Sequence, residues 1–495
     1  MKEHKEGVYQ NSTELMDLGG KPFYMNDFVD ACLYGRLNLF LQGDTGSGKT
    51  QLAKDAMDYF GTTLGDGEFA KEFQEKFLDK LDNKSNYALS SVNKFGTDKT
   101  MFLLGRNDMD TRELFQRFNL GRLNQKPKYN LEPLVDIENG EINYYYPIFE
   151  NGNFIQKKLL PEQVRRVREE LEKLAVNSDE IRELTSKIDT RLFVVDELPN
   201  CVPAVRAQLF NLFDGFIEIN GKAYPIGSGY SVGIATGNIG QKFTESSNDI
   251  GRALKDRMHV TIDTDYFKPT SWDTFKILST NTNPRVDFTK NSGGASVEDK
   301  ILKINNEIIS SEVPLEKLVI ANYLIHGLDY VNLDGKETTK TKLKDAWPSA
   351  ITNHGKGSDE SLVLPVSPRA AKSILRLSQA FDYIAKEKGL TDEQVKENYF
   401  NSMMNAYKFV GAYSGILNDL AVRENYENDK YSALDAIILT TKTQFNENAG
   451  SISAGLEMTN GGKKSKKVLD KFSGRWEFMK NFLEKAYEEN SGGLN

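Results

Sequence analysis

The chain has 495 residues, of which 39% are hydrophobic and 27% are charged, and its formal net charge at pH 7 is −8. This length predicts several domains with a large buried core, and no apolar run approaches the roughly 18 residues of a membrane span. The acidic balance argues against broad nucleic-acid binding. The two cysteines, Cys32 and Cys201, are too few for a disulfide framework or a four-thiolate metal site. Because the amino terminus has no signal-peptide pattern, we expect a cytoplasmic chain.

The first informative stretch is an apolar run at 37–41, followed by a glycine-rich turn and a helical pattern over 51–60. The turn fills the G-x-x-x-x-G-K-[ST] pattern of a phosphate-binding loop, which predicts a site for ATP and Mg²⁺. In such a loop backbone N–H groups face phosphate oxygens, Lys49 reaches the β- and γ-phosphates, and Thr50 ligates Mg²⁺. The predicted nucleotide-binding residues are Gly43, Asp44, Thr45, Gly46, Ser47, Gly48, Lys49 and Thr50.

The segment after this loop predicts elements of mixed type. Residues 65–84 are helix-like, 87–92 fit a second strand, and 111–123 fit a short amphipathic helix. Residues 141–146 alternate enough to be an exposed strand of a hairpin. Residues 162–189 predict a charged helical hairpin, which is either a solvated spacer or a surface that docks a partner.

Two later strands carry polar residues at their carboxyl ends, where α/β proteins bind ligands. The apolar residues 192–195 predict a buried parallel strand that ends at Asp196 and Glu197. In a phosphate-loop protein Asp196 would hold the Mg²⁺ hydration shell, and Glu197 would orient or deprotonate the attacking water. A second buried strand, 231–237, is followed by Asn238. If the two strands are neighbours, Asn238 would hydrogen-bond that water or the γ-phosphate.

The rest of the chain predicts one hairpin and a mostly helical later half. Residues 217–225 alternate around Asn-Gly, a strong hairpin signal. Apolar residues recur at helical spacing in 297–328, where two helices part near Pro314, in 370–385 and in 401–420. The polar stretch 332–361 predicts a loop or small insertion, and 441–467 predicts a flexible linker before a terminal amphipathic helix.

Together these motifs resemble the AAA+ ATPases and, within them, the MoxR-like group with an insert in the second helix. The resemblance rests on the order of Asp196-Glu197, the hairpin at 217–225 and the strand before Asn238, and it covers roughly residues 20 to 410. It implies an α/β fold, an AAA+ P-loop parallel sheet with a helix-2 insert and a pre-sensor hairpin, followed by a helical lid domain. The implied boundaries are a core at 1–268 with the insert and extra hairpin at about 93–190, a lid at 269–430 with a polar insertion at 332–361, and a linker and terminal helix at 431–495.

The resemblance also implies a role for an arginine near the end of the core. Arg257 matches the arginine that projects to the γ-phosphate bound by a neighbouring subunit, a head-to-tail contact that closes into a ring. Arg252 is a second candidate for this role. The alternative for Arg257 is a local salt bridge with Asp256 or Glu245.

A second arginine opens a predicted lid helix in the segment Ser367-Pro368-Arg369-Ala370. Arg369 matches the sensor-2 arginine, which would reach the γ-phosphate of its own subunit so that hydrolysis moves the lid against the core. The alternative is a helix-start arginine held by solvent. Glu197, Asn238, Arg257 and Arg369 are therefore the predicted catalytic residues, and Thr50 and Asp196 are the predicted metal ligands.

The function implied by the resemblance is ATP hydrolysis in a homo-oligomeric ring, a hexamer, which drives chaperone-like remodelling or activation of a protein partner. A von Willebrand factor A domain protein is one such partner. A nucleic-acid-dependent motor or restriction-type translocase is an alternative, although Lys222 is the only basic residue within 217–225. A nucleotide switch without turnover is another alternative. The chain departs from the family at Pro199-Asn200, where Asn-Arg is usual.

Overall fold

The structure is a computed structural model in which the described residues fall into two compact units. The larger unit comprises Met1–Met109, Asp189–Ile217 and Pro225–Asn495, and the smaller unit comprises Asp110–Ile188 and Glu218–Tyr224. The described residues are 9–61, 99–105, 114–118, 136–138, 141–150, 153–160, 162–166, 182–219, 221–238, 252–280, 286, 297–333, 335–343, 357–460 and 464–492. Within these ranges, no helix has the length and apolar character needed to cross a membrane.

Strands and helices are numbered here in chain order over the described residues. The strands are β1 (Met16–Leu18), β2 (Lys21–Phe23), β3 (Leu39–Gln42), β4 (Thr100–Leu104), β5 (Gln116–Phe118), β6 (Asp136–Glu138), β7 (Glu141–Glu150), β8 (Asn153–Leu159), β9 (Arg182–Leu184), β10 (Leu192–Asp196), β11 (Phe216–Ile219), β12 (Lys222–Pro225), β13 (Val232–Gly237), β14 (Val260–Asp263), β15 (Tyr330–Leu333) and β16 (Lys336–Thr339). The helices are α1 (Met25–Gly35), α2 (Lys49–Phe60), α3 (Pro203–Phe213), α4 (Arg252–Lys255), α5 (Ser271–Thr280), α6 (Glu298–Ser310), α7 (Leu315–Asn322), α8 (Lys340–Leu343), α9 (Asp359–Leu362), α10 (Pro368–Glu387), α11 (Asp392–Glu397), α12 (Tyr399–Gly411), α13 (Asp419–Tyr426), α14 (Lys430–Thr459), α15 (Lys466–Leu469) and α16 (Phe478–Gly492).

A five-stranded parallel sheet lies at the centre of the larger unit, in the order β14-β3-β13-β10-β4. Every residue of β3, β10 and β13 is buried, which explains why these strands read as continuous apolar runs. Since all five strands are parallel, their carboxyl ends meet at one edge, and the predicted loop and acids follow those ends. The predicted α/β fold, a parallel sheet with a phosphate-binding loop followed by a mostly helical later half, is confirmed.

The helical later half shares its hydrophobic core with the sheet. Helix α10 packs against α1 and α12. Phe28 of α1 is the aromatic centre of this contact, because its ring lies 5.0 Å from Phe381 of α10 and 4.3 Å from Phe409 of α12. Such edge-to-face pairs stabilise a core beyond the area that they bury. The sheet and the later helices therefore belong to the same compact unit.

Several predicted elements have their expected type. The helix after the phosphate-binding loop is α2, the two helices that part at Pro314 are α6 and α7, and the lid helices at 370–385 and 401–420 correspond mainly to α10 and α12. The predicted polar insertion at 332–361 opens with the antiparallel hairpin of β15 and β16. The predicted strand at 87–92 and helix at 65–84 lie outside the described residues.

The flexible linker predicted over 441–467 is wrong for most of its length. Residues up to Thr459 belong to α14, a helix of 30 residues that starts at the Asp429 N-cap, and α14 packs against α16. A Cβ added at Gly455 would lie 2.6 Å from Leu483 of α16, so the glycine permits this close approach. The terminal helix is therefore docked on α14 within the larger unit.

The smaller unit contains the described residues of the predicted insert between 114 and 188, together with most of the hairpin formed by β11 and β12. Strands β6, β7 and β8 form an antiparallel sheet, which confirms the hairpin strand predicted at 141–146. The amphipathic helix predicted over 111–123 is wrong at 116–118, which forms β5, and the second helix predicted within 162–189 is wrong at β9. These strands pair with each other. Within the predicted insert, the residues of β4 pair with β10 in the central sheet.

Candidate nucleotide-binding site

The predicted phosphate-binding loop connects the carboxyl end of β3 to the start of α2. Gly46 and Gly48 have φ angles of +85° and +82°, a region that glycine adopts readily and other residues avoid. At Gly43 a Cβ atom would lie 2.1 Å from the Thr264 hydroxyl oxygen, so no larger residue fits there. The glycines of the motif thus shape the loop for the reason that the sequence pattern suggested.

Lys49 is buried beneath this loop with 7% of its surface exposed. Its Nζ donates hydrogen bonds to the carbonyl oxygens of Gly43 at 3.0 Å and Asp44 at 2.6 Å, and to the Ser47 hydroxyl at 3.0 Å. Burial lowers the pKa of Lys49, and the carboxylates of Asp265 and Asp44 partly oppose that change. The ammonium group is therefore held inside the loop, within reach of an anion that the loop would enclose.

Asp196, at the carboxyl end of β10, joins the loop to the neighbouring strand. Its Oδ1 atom accepts hydrogen bonds from the Thr50 hydroxyl at 2.8 Å and from the Thr236 hydroxyl at 2.5 Å. The Thr236 oxygen also accepts the backbone N–H of Glu197 at 3.1 Å. The structure thus brings together the two predicted metal ligands and adds Thr236, a buried polar residue in an otherwise apolar strand.

Glu197 and Asn238 directly follow the ends of two neighbouring strands, as their predicted roles require, because β10 pairs with β13. Glu197 is exposed and has a φ of +56°, which turns the chain sharply after the strand. Its Oε2 accepts a hydrogen bond of 2.8 Å from the side-chain amide of Asn200. Asn238 donates to the Thr45 hydroxyl of the loop at 3.3 Å. An attacking water and a terminal phosphate would be positioned from these two sides.

The residues after β14 fix the other side of the loop and were not predicted. The Thr264 hydroxyl donates to the Gln42 carbonyl oxygen at 2.9 Å, and its oxygen lies within hydrogen-bond distance of the Ser47 hydroxyl at 2.8 Å. Asp265 accepts the Asp44 backbone N–H at 2.7 Å, and burial raises the pKa of its carboxyl group. The loop therefore has a fixed conformation on the side that faces β14.

The two predicted arginines form one cluster with two acids. Arg257 donates through Nε to Asp214 Oδ2 at 2.8 Å, and its guanidinium lies 5.0 Å from the centre of the Phe210 ring. Arg369 lies 3.2 Å from Asp256 and 4.0 Å from Asp214. Arg257 thus makes a local salt bridge, but its partner is Asp214, which was not one of the two expected partners, Asp256 and Glu245. The side chain of Arg252 and all of residue 245 lie outside the described residues.

This arginine cluster lies at the amino edge of the sheet, opposite the phosphate-binding loop. Asn38, the residue before β3, donates through Nδ2 to the carbonyl oxygens of Arg257 at 2.9 Å and Phe213 at 2.8 Å. Gly43 starts the loop at the other end of β3, and five residues of extended chain span about 16 Å. The structure therefore does not bring Arg257 or Arg369 to the loop of the same chain.

His259 is packed beside the cluster and accepts the Asn38 backbone N–H through Nδ1 at 2.9 Å. Burial, followed by the charge of Arg369, lowers the pKa of His259 from 6.5 to about 4. The folded imidazole thus stays neutral where the imidazole of the unfolded chain takes up a proton. The stability that depends on this difference is present above pH 6.5 and is lost as the pH falls towards 4.

We expect a His259→Asn variant, whose amide oxygen can accept the same N–H, to lose less stability on acidification than the wild type. Between pH 6.5 and 5 the difference should reach about 2 kcal/mol, since each pH unit corresponds to about 1.4 kcal/mol per proton. Urea unfolding of both proteins at pH 7.5 and 5 measures it. Equal losses in the two proteins would contradict a neutral, half-buried histidine.

Thr50 and Asp196 fit a Mg²⁺ ion that accompanies a nucleotide. The hydroxyl and carboxylate oxygens are the hard ligands that Mg²⁺ prefers, and they lie side by side at the loop. Mg²⁺ bound through one or two protein oxygens completes its coordination with water and phosphate oxygens. The described residues contain no group of three or more histidine, cysteine or acidic side chains that could hold a metal ion.

The parallel sheet, the glycine-rich loop at its carboxyl edge and the acids of a neighbouring strand define an α/β P-loop fold. No protein-family model matches the sequence, and no curated protein matches it. Among solved structures, the chain is similar to a protein from Cytophaga hutchinsonii that is described as a candidate ATPase. That similarity has a TM-score of 0.44 at 14% identity and covers 85% of this chain and 90% of the other. At this level it supports no functional conclusion.

Proposed function

We propose that the chain binds ATP with Mg²⁺ at the loop of residues 43–50 and hydrolyses it. The observation that carries this proposal is the hydrogen bond of 2.8 Å from Thr50 to Asp196, which joins the phosphate-binding loop to the strand that ends in the predicted base. A glycine-rich loop can occur without an acidic strand end beside it, and an acidic strand end can occur without such a loop. Their contact in the fold is what a nucleotide with its metal ion needs.

Each side chain around the loop has a separate role in ATP hydrolysis. Lys49 exchanges the loop carbonyls for phosphate oxygens, and Thr50 and Asp196 hold Mg²⁺, which neutralises phosphate charge when bound. Glu197 accepts a proton from the attacking water. Asn238 donates to that water or to the γ-phosphate. In phosphoryl transfer positioning and charge stabilisation supply most of the rate enhancement, so this arrangement suits the reaction.

A ring is the assembly that would complete this site. Arg257 and Arg369 lie at the edge of the sheet opposite the loop, and both are partly exposed, so each is placed to serve a second copy of the chain. A head-to-tail contact of this kind closes into a ring when its rotation allows. We place Arg369 in the same role as Arg257 because the two share Asp214. Electron microscopy with a slowly hydrolysed ATP analogue would show the ring.

The use of hydrolysis is proposed from the motif resemblance. The order of Asp196-Glu197, the hairpin at 217–225 and Asn238 resembles the MoxR-like AAA+ group, whose rings remodel or activate protein partners. We therefore propose chaperone-like remodelling by a hexamer, with a von Willebrand factor A domain protein as the class of partner. Co-purification with such a protein, and its ATP-dependent change of protease sensitivity, test this part.

Nucleotide binding itself is tested by replacing Lys49 with alanine. The variant loses charge-assisted hydrogen bonds to phosphate, and a loss of about 3 kcal/mol corresponds to roughly hundredfold weaker ATP binding. Calorimetric titration with ATP and Mg²⁺ measures this affinity. Lys442→Ala, which changes an exposed lysine on α14, is the control and should bind as the wild type does. Unchanged binding by the Lys49 variant would overturn the proposed function.

A further inference from the structure

Asp214, which follows the last residue of α3, is the acid that both arginines of the cluster share. Its Oδ2 accepts the Nε of Arg257 at 2.8 Å, and its Oδ1 lies 4.0 Å from Nη1 of Arg369. The Asp214 side chain keeps 27% of its surface exposed. Each carboxylate oxygen thus faces a different arginine, although residues 214, 257 and 369 are far apart in the sequence.

Among the described residues, the remaining contacts of the two arginines involve only some of their guanidinium nitrogens. Arg257 also donates through Nη1 to the Ala253 carbonyl oxygen at 2.8 Å, and its guanidinium packs on the Phe210 ring. Arg369 is held further by Asp256, at 3.2 Å. A guanidinium has five donors in a rigid fork, so these contacts leave donors for a phosphate.

Two guanidinium groups that share one carboxylate would repel each other without it. Repulsion between like charges is stronger near a protein surface than in bulk water, because the effective dielectric constant is lower there. Arg36 adds further positive charge in this region, since it contributes to lowering the pKa of His259. An acid between the two arginines keeps them together at the edge of the sheet.

We propose that Asp214 is a positioning residue that presents Arg257 and Arg369 together to the terminal phosphate of a nucleotide bound by a second copy of this chain. This inference rests on the proposed function. The substrate contact belongs to the arginines, and Asp214 acts through them. Partly exposed ion pairs contribute little to folding stability, so loss of Asp214 should affect the reaction more than the fold.

The test is Asp214→Asn, which keeps the size of the side chain and an acceptor oxygen but removes the charge. We expect kcat for ATP to fall about ten- to hundredfold, the loss that a displacement of about 1 Å in a catalytic group produces. The KM for ATP should stay within about twofold, because the loop of the same chain is intact. Asp419→Asn, at an exposed acid that pairs with Lys430, is the matched control and should leave kcat unchanged.

Mixed assemblies then separate positioning from a structural role. A Glu197→Gln subunit cannot hydrolyse its own ATP but keeps its arginines, so mixing it with Asp214→Asn subunits should restore activity. Mixing Asp214→Asn with Arg257→Ala subunits should restore none, since both lack a working donor. An unchanged kcat, an increased kcat, or a defect that Glu197→Gln subunits do not relieve would overturn the proposal. A wild-type chain without ATPase activity would instead overturn the proposed function.

Discussion

Replacing Glu197 with glutamine should stop ATP turnover while ATP still binds. Glutamine cannot accept a proton from the attacking water, and general-base catalysis of this kind contributes about 10²- to 10⁴-fold to a rate. The backbone turn at residue 197 and the hydrogen bond from Asn200 can both persist, because the amide oxygen of glutamine accepts as the carboxylate does. The variant should therefore fold normally and accumulate bound ATP.

Phosphate release under saturating ATP measures the loss, and calorimetric titration measures retained binding. Glu424→Gln, a change of the same kind at an exposed position of α13, is the control and should leave both quantities unaltered. A Glu197 variant that turns over ATP at the wild-type rate would remove this residue from the chemistry. If that variant bound no ATP, the loss of turnover would reveal nothing about proton transfer.

The central strands and the phosphate-binding loop could be predicted from the sequence because their signals are local. A run such as 192–195 is buried on both faces in a parallel sheet, and polar residues at its end fall at the ligand-binding edge. By contrast, the long helix α14 was predicted as a linker. Its interior contains Gly450 and Gly455, and a glycine disfavours a helix by about 1 kcal/mol relative to alanine. The close packing of Gly455 against Leu483 of α16 explains why a helix forms there. This packing is a tertiary contact, so the local sequence does not indicate it.

The residues of the candidate site also divide into those with a local sequence signal and those that depend on tertiary contacts. Asp196, Glu197 and Asn238 could be predicted because each follows a recognisable strand. Thr236 could not be assigned a role, because its contact with Asp196 depends on the register of two strands that are distant in sequence. Asp214 could not be assigned a role either, because Arg257 and Arg369 are distant from it in the sequence and approach it only in the folded chain. One sequence signal does point to Thr236, because a polar residue in a fully buried strand needs a hydrogen-bond partner.

Replacing Arg369 with alanine should lower ATP hydrolysis by a factor of at least about 10² and leave ATP binding by dilute, unassembled chains unchanged. Arginines that stabilise the transition state from a neighbouring subunit contribute about 10³- to 10⁵-fold, and Arg257 would retain part of that effect. The lid role predicted from the sequence gives a different result, because an arginine that contacts the phosphate of its own subunit would weaken binding in the dilute chain as well. Arg423→Ala, at an exposed position of α13, is the control.

Mixed assemblies distinguish between an Arg369 that contacts the phosphate of a neighbouring subunit and one that contacts the phosphate of its own subunit. In equal mixtures with Glu197→Gln subunits, about half of the Arg369→Ala sites would receive an intact arginine pair from a neighbour, so about a quarter of wild-type activity should return. Under the lid role each subunit would carry its own defect and no activity would return. The contacts of Arg369 with Asp256 and Asp214, at the edge of the sheet away from the loop, favour the first outcome. The nucleotide would then be enclosed by the loop of one chain and the arginine pair of the next, so hydrolysis would depend on assembly.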